Sequence, residues 1–325
     1  MIEDGGRASR LHVVRGAAGG TGAAVVRELV GQGRSVRAVT RRGRTAVGDG
    51  AQPPASYQDA AADVSDRGQL RRALVGAVVV YHCAQPAYTR WAQEFPAMNR
   101  EVIEAAAEAG AKLVFADNLY MYAPGASPIT EDTPATATTR KGKVRAAMAE
   151  ELLAAHRDGK VRVAIGRSSD YFGPGGVTSA LGARFFRSVA AGKKTQWFAD
   201  LDQPHTVSFL PDMARALVVL GTRPEADGRV WHLPAAEART GRQVIEAAGR
   251  AAGTSPEPAV RGMGTVRLAG LFMPVLREFP ELWYQWDRPF VLDSSRFQET
   301  FGPFAVTPLD QALLETVTWF RRRRV

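Results

Sequence analysis

Three glycines spaced three residues apart, Gly16, Gly19 and Gly22, follow the short apolar run Val13-Val14 and open a helical pattern. This spacing suits the binding of a pyrophosphate. Gly16 permits a tight turn off a strand, Gly19 lets backbone approach an anion with no Cβ in the way, and Gly22 lets the next helix pack closely. Residues 21–32 set Val25, Val26, Leu29 and Val30 on one face and Arg27, Glu28 and Gln32 on the other. The amino terminus of that helix, at Gly20 and Thr21, would point unpaired N–H groups at the anion. Strand, turn and helix together mark a dinucleotide site, which a glycine-rich loop alone would not.

A second group of residues bears on which dinucleotide. The strand pattern 35–40 runs directly into Arg41-Arg42-Gly43-Arg44, with no acidic residue where the strand ends. An acidic residue there usually accepts the adenosine ribose hydroxyls of NAD. A carboxylate would repel a 2′-phosphate, whereas Arg41 and Arg42 can neutralise one through forked hydrogen bonds, so the expected cofactor is NADP(H). The alternative is a solvated basic loop.

These residues need a frame to hold them, and the pattern supplies one. Strand-like and helix-like segments alternate through residue 171, with helices near 66–75, 94–110 and 139–153 and strands near 78–84, 112–116 and 161–167. The expectation is an α/β, Rossmann-type doubly wound parallel sheet over residues 11–171, continuing near 205–233. A smaller substrate lobe would comprise 172–204 and 234–325, and 1–10 would be a flexible N-terminus. Helices are expected near 180–191, 243–252, 265–276 and 308–322.

Composition narrows the function classes. The chain has 325 residues, 45% hydrophobic and 23% charged, with one cysteine, Cys83, which excludes an internal disulfide framework and offers no metal cluster. The net charge is +9, but residues 1–46 carry nine arginines and Arg321–Arg324 four more, so the basicity is local. Without aromatics interleaved among those arginines, nucleic-acid binding is not expected. No apolar run approaches a membrane span and residues 1–10 lack a signal peptide's apolar core; the expected setting is cytoplasmic, without a membrane partner.

Further residues match a known pattern. Asp63-Val64, Cys83-Ala84, Asn99 and the run Arg167-Ser168-Ser169-Asp170-Tyr171-Phe172-Gly173-Pro174-Gly175 follow the glycine turn in order. The chain resembles the extended short-chain dehydrogenase/reductase superfamily, epimerase/dehydratase-like. That resemblance implies that Asp63 and Val64 flank the adenine, that Ala84, Arg167 and Ser168 line the cofactor, and that His82 and Cys83 are packing residues. It also implies a Ser or Thr at Asn118 and a Tyr-x-x-x-Lys pair opening the helix at 139–153. Here the serine is Asn118, the tyrosine position reads Thr139 and the lysine is Lys143. No tyrosine lies between Pro124 and Asp170.

The chain is therefore similar to an atypical branch with a degraded Ser/Tyr/Lys set. Lys143 is expected to bind the nicotinamide ribose. In an extended segment Asn118, Tyr120 and Tyr122 would share a face, which makes Tyr120 a candidate acid, its phenol lowered by Lys143, or else a pocket wall. Tyr171, His205 and Trp283 are candidate substrate contacts, the last in the most aromatic stretch of the chain, 279–290. The expected activity is NADPH-dependent oxidation or reduction of a small, apolar or aromatic carbonyl, alcohol or unsaturated compound, by a possible homodimer. A redox-neutral isomerase, lyase or cyclase using NADP as scaffold, and a non-catalytic NADP-sensing module, are the alternatives.

Overall fold

The structure is a computed structural model, and it describes residues 10–43, 54–62 and 67–323. Seven parallel strands form one sheet: β1 (Leu11–Arg15), β2 (Ser35–Thr40), β3 (Tyr57–Ala61), β4 (Ala77–His82), β5 (Lys112–Asp117), β6 (Val163–Arg167) and β7 (Arg229–His232). Their order across the sheet is β7-β6-β5-β4-β1-β2-β3. The chain builds outward from β1 to β3, then returns to add β4 on the other side of β1. That reversal leaves a crevice beyond the carboxyl ends of β1 and β4, where ligands collect in such sheets.

The strands are apolar on both faces because helices cover both. Val13, Val80, Leu113, Phe115 and Ile165 pack on α2 (Arg67–Leu74), α3 (Trp91–Glu108) and α4 (Arg140–Arg157). Val14, Ala38, Tyr81, Val114 and Ala164 face α1 (Gly20–Gly31) on the other side, with α6 (Leu210–Thr222) beside it. Successive residues such as Val13 and Val14 go to opposite sides, as the two-residue period of a strand requires.

Beyond β6 two further apolar clusters form. Phe172, Phe186, Trp197 and Phe209 pack with α5 (Ala183–Ala190), α7 (Gly241–Ala252) and the terminal helix. Leu119, Met121, Tyr122 and Ile129 pack with Leu282, Tyr284 and Phe290, tying the turn after β5 to the aromatic stretch. One expected helix is corrected. The segment 265–276 is not continuous: α8 (Met263–Gly270) stops before Pro274, which opens a 3₁₀ segment, Pro274–Glu278. Proline lacks the N–H and its ring would clash with the preceding turn. Helices α9 (Ser295–Phe301) and α10 (Leu309–Arg322) complete the chain. Among the described residues no helix is long and apolar enough to cross a membrane.

Candidate active site

The glycine turn sits in the crevice between β1 and β4. Gly16 has φ +85°, and a Cβ on it would lie 2.6 Å from the Ala84 nitrogen; a Cβ on Gly22 would lie 2.2 Å from the Gly16 carbonyl oxygen. Neither position accepts a side chain. Gly19 is exposed and caps α1, no side chain caps that helix, and its first turn has no acidic residue. The first-turn N–H groups at Gly20 and Thr21 are thus left for an anion, so the residues present fit a dinucleotide pyrophosphate. Arg41 and Arg42 are exposed at the end of β2. Asp63 and Val64 lie outside the described residues.

The other side of the crevice differs from the sequence expectation in three ways. First, residues 118–122 are a turn and not an extended segment: the Tyr122 N–H donates to the Leu119 carbonyl at 3.2 Å and the Tyr120 N–H to Asn118 Oδ1 at 3.1 Å. The two tyrosines therefore diverge. Tyr120 stacks on Trp91, ring centroids 5.7 Å apart, with its hydroxyl 3.4 Å from that of Tyr88. Tyr122 is buried and accepts from Arg167 Nη1 at 2.7 Å.

Second, Lys143 points to solvent, and the inward face of α4 carries Lys141 and Arg145. Thr139 is the helix cap, its Oγ1 accepting from the Gly142 N–H at 3.1 Å. The inward pair has the i, i+4 spacing expected of 139 and 143, displaced by two residues. Its signal was present in the sequence: 141, 145, 148 and 152 form one helical stripe, and Met148 and Leu152 are core residues. Lys141 Nζ lies 4.5 Å from the Tyr88 ring centroid, 3.0 Å from Glu281 and in contact with Glu278, which also binds Arg140.

Third, the Tyr120 phenol is raised and not lowered, because burial outweighs the opposing pull of the Arg145 guanidinium. Burial raises it, and the Asp170 carboxyl adds to the shift. Tyr88 is raised for the same first reason, as is Tyr171, which is half-buried.

Arg167 lies beneath this turn. Its Nε and the Nη1 of Arg145 donate to the two oxygens of Asp117 at 3.2 and 3.3 Å. The guanidinium of Arg145 also covers the rings of Trp91 and Phe95, 4.4 and 4.3 Å from their centroids. Burial lowers its pKa, while Asp117 opposes that. Ser168 is buried, its N–H donating to the Asp117 carbonyl at 3.2 Å. His82 is buried with its pKa driven well below the ordinary value by desolvation, and burial pushes the Cys83 thiol up to about 12.

Two histidines show opposite hydrogen-bond logic. His232 Nδ1 lies 2.8 Å from the Asp293 carbonyl and must donate; its Nε2 is then free to accept from the Tyr122 hydroxyl at 2.7 Å, so the ring is neutral. Burial depresses its pKa to about 4, in agreement. His205 Nδ1 also faces a carbonyl, that of Gln285 at 2.9 Å, but its Nε2 meets Asp170 Oδ2 at 3.0 Å. With Nδ1 donating, this second contact needs another proton, on the imidazole or on Asp170. His205 is buried, stacked 4.5 Å from Trp286, whereas the Asp170 carboxyl is close enough for its charge to raise the Tyr88 and Tyr120 phenols. Trp283 is half-buried in the 3₁₀ segment Pro280–Gln285.

The profile of the NAD dependent epimerase/dehydratase family matches residues 12–233, from β1 through β7. The chain belongs to that family. Several solved family-like structures share its fold over almost their whole length. MoeE5 in complex with UDP-glucuronic acid and NAD is 22% identical, with 96% of this chain and 99% of that one covered at a TM-score of 0.75. WbmH of Bordetella bronchiseptica in complex with NAD+ is 19% identical, covering 97% and 99% at 0.76. A dTDP-glucose 4,6-dehydratase from Bacillus anthracis str. Ames in complex with NAD is 16% identical, covering 97% of each chain at 0.77. A search of curated protein sequences returns no match. Within the epimerase/dehydratase family, the inward Lys141 and Arg145, the Asp170–His205 pair and the phenols of Tyr88 and Tyr120 are what sequence reasoning missed or placed differently.

Proposed function

We propose that this epimerase/dehydratase-family chain is an NADP(H)-dependent oxidoreductase acting on a small carbonyl, alcohol or unsaturated compound with an apolar or aromatic body. The observation that carries the cofactor choice is the exposed Arg41-Arg42 pair at the end of β2, beside an uncapped glycine turn and with no carboxylate on the strand end. The similar structures hold NAD; one is in complex with UDP-glucuronic acid and another is a dTDP-glucose 4,6-dehydratase, which is the comparison the substrate choice must survive. What favours an apolar body is the aromatic cluster of Tyr88, Trp91 and Tyr120, whose two phenols feel the Asp170 charge.

A nicotinamide dinucleotide bound there supplies a hydride donor or acceptor. The chain's own residues orient the substrate and move the accompanying proton. Asn118 uses Oδ1 for the Tyr120 N–H, leaving its amide N–H groups to donate to a substrate oxygen. Tyr120, with its pKa raised, stays a neutral phenol and acts as a second donor. The Asp170–His205 pair holds the proton. Lys141, gripped by Glu278 and Glu281, fastens the later segment over α4.

The test is reduction of a panel of aromatic and aliphatic carbonyl compounds and of UDP- and dTDP-sugars, followed by nicotinamide absorbance, on wild type and Asp170→Asn. Asparagine keeps the shape but removes the second proton from the pair, so turnover should fall about 10²- to 10⁴-fold. Turnover of D170N within a few-fold of wild type would remove the pair from this role. Bound cofactor whose redox state no compound changes would favour the redox-neutral or sensing alternatives.

A further inference from the structure

Between Glu257 and Glu278 the sequence has no acidic residue and carries three arginines, Arg261, Arg267 and Arg277. Within this span α8 buries Val266 and turns Leu268 outward, and the chain then exposes Leu271, Phe272, Met273 and Val275, with Phe272 at 83%. Arg277 fixes this apolar tip: its Nε donates to the Gly270 carbonyl at 2.6 Å and its Nη2 to that of Leu271 at 2.8 Å. These are carbonyls that the end of α8 would otherwise leave unpaired, so the tip is presented on a held backbone and not by fraying. On its other side the same segment is anchored to α4 through Glu278 and Glu281.

A cluster of large apolar side chains held outward marks a surface that something covers. A symmetric second copy is a poor occupant. Its interface would bring a span with three arginines and no carboxylate against itself, like charge towards like. A bilayer with anionic headgroups suits both halves of the patch. Leu268, Leu271, Phe272 and Met273 can enter the acyl boundary while Arg261 and Arg267 meet lipid phosphates.

We propose that residues 261–277 dock the protein on a bilayer surface that contains anionic phospholipid. This departs from the expectation of no membrane partner. The contact is peripheral, and it holds the Lys141 end of the site beside the lipid, because one continuous segment carries both the tip and the carboxylates that grip Lys141.

The experiment is sedimentation of the full chain with vesicles of phosphatidylcholine alone and of equal parts phosphatidylcholine and phosphatidylglycerol. No cofactor or substrate is present, so the result is independent of the reading above. Arg261 and Arg267 each contribute roughly fivefold at an anionic surface, so binding to the phosphatidylglycerol vesicles should be about twenty-fivefold tighter, falling as salt is raised. The double variant Leu271→Ser/Phe272→Ser alters only exposed side chains and should bind at least about tenfold more weakly. Arg267→Gln should cost about fivefold on the anionic vesicles and nothing on the neutral ones. The proposal is overturned if wild type stays in the supernatant with both vesicle types, or if the double variant sediments like wild type. It is also overturned if the protein elutes as a dimer that the double variant makes monomeric while vesicles capture neither.

Discussion

The two sides of the crevice are built from different materials. On the β1 side the site is backbone: a turn at φ +85°, an uncapped helix start, and glycines that no side chain could replace. On the α4 side it is side chain: a buried carboxylate shared by two guanidiniums, an ammonium gripped by two glutamates, and the paired phenols of Tyr88 and Tyr120. A backbone site is dictated by residue type at fixed spacing, because glycine alone satisfies the sterics. A side-chain site depends on helix register and on which partners the fold brings in from far along the chain. The first kind tolerates little change in sequence and the second tolerates changed residues as long as charges and volumes close.

The sharpest way to break this contrast is to attack the charge closure. Asp117→Ala leaves Arg145 and Arg167 buried without their carboxylate, which should cost about 3–5 kcal/mol in urea unfolding. A loss under 1 kcal/mol would mean that the α4 side is not held by that pair. Next in size is acid sensitivity through His232. Unfolded, the imidazole titrates near 6.5; folded, at about 4. The folded state therefore binds fewer protons between these values. Its contribution is intact above pH 6.5 and is lost as pH falls towards 4, about 3 kcal/mol in total. His232→Gln should flatten that part of the stability profile; an unchanged slope would contradict the neutral-ring assignment.

Smaller effects sharpen the register of α4. Thr139→Ala removes the cap and should cost about 1 kcal/mol, whereas Lys143→Ala, on the exposed face, should stay within about 0.5 kcal/mol and leave cofactor affinity unchanged. A larger effect of Lys143→Ala on cofactor binding would restore the register read from the sequence.

Much of the fold was legible because alternating apolar strands and helices declare a parallel sheet, and the glycine turn declared its own geometry. Lys143 stands on the exposed face of α4 for a physical reason. Assigning a pair by its distance from the helix start ignores which face is apolar, and the stripe of Lys141, Arg145, Met148 and Leu152 overrules it. Tyr120 and Tyr122 were grouped by assuming an extended chain, whereas Asn118 bonds the Tyr120 N–H and closes a turn. The Asp170–His205 pair lies 35 residues apart in sequence, and the ligature of Lys141 by Glu278 and Glu281 spans more than a hundred, so neither leaves a local signal.

The central proposal is that the crevice takes a phosphorylated dinucleotide, its 2′-phosphate held by Arg41 and Arg42 at the end of β2. Calorimetric titration of wild type and of Arg41→Ala/Arg42→Ala with NADP+ and NAD+ tests it directly. Charge-assisted contacts to a 2′-phosphate are worth roughly 1.5–3 kcal/mol, so wild type should bind NADP+ on the order of ten- to a hundredfold more tightly, and the double variant should bind the two alike. Equal affinities in wild type, or a preference that survives loss of both arginines, would contradict it.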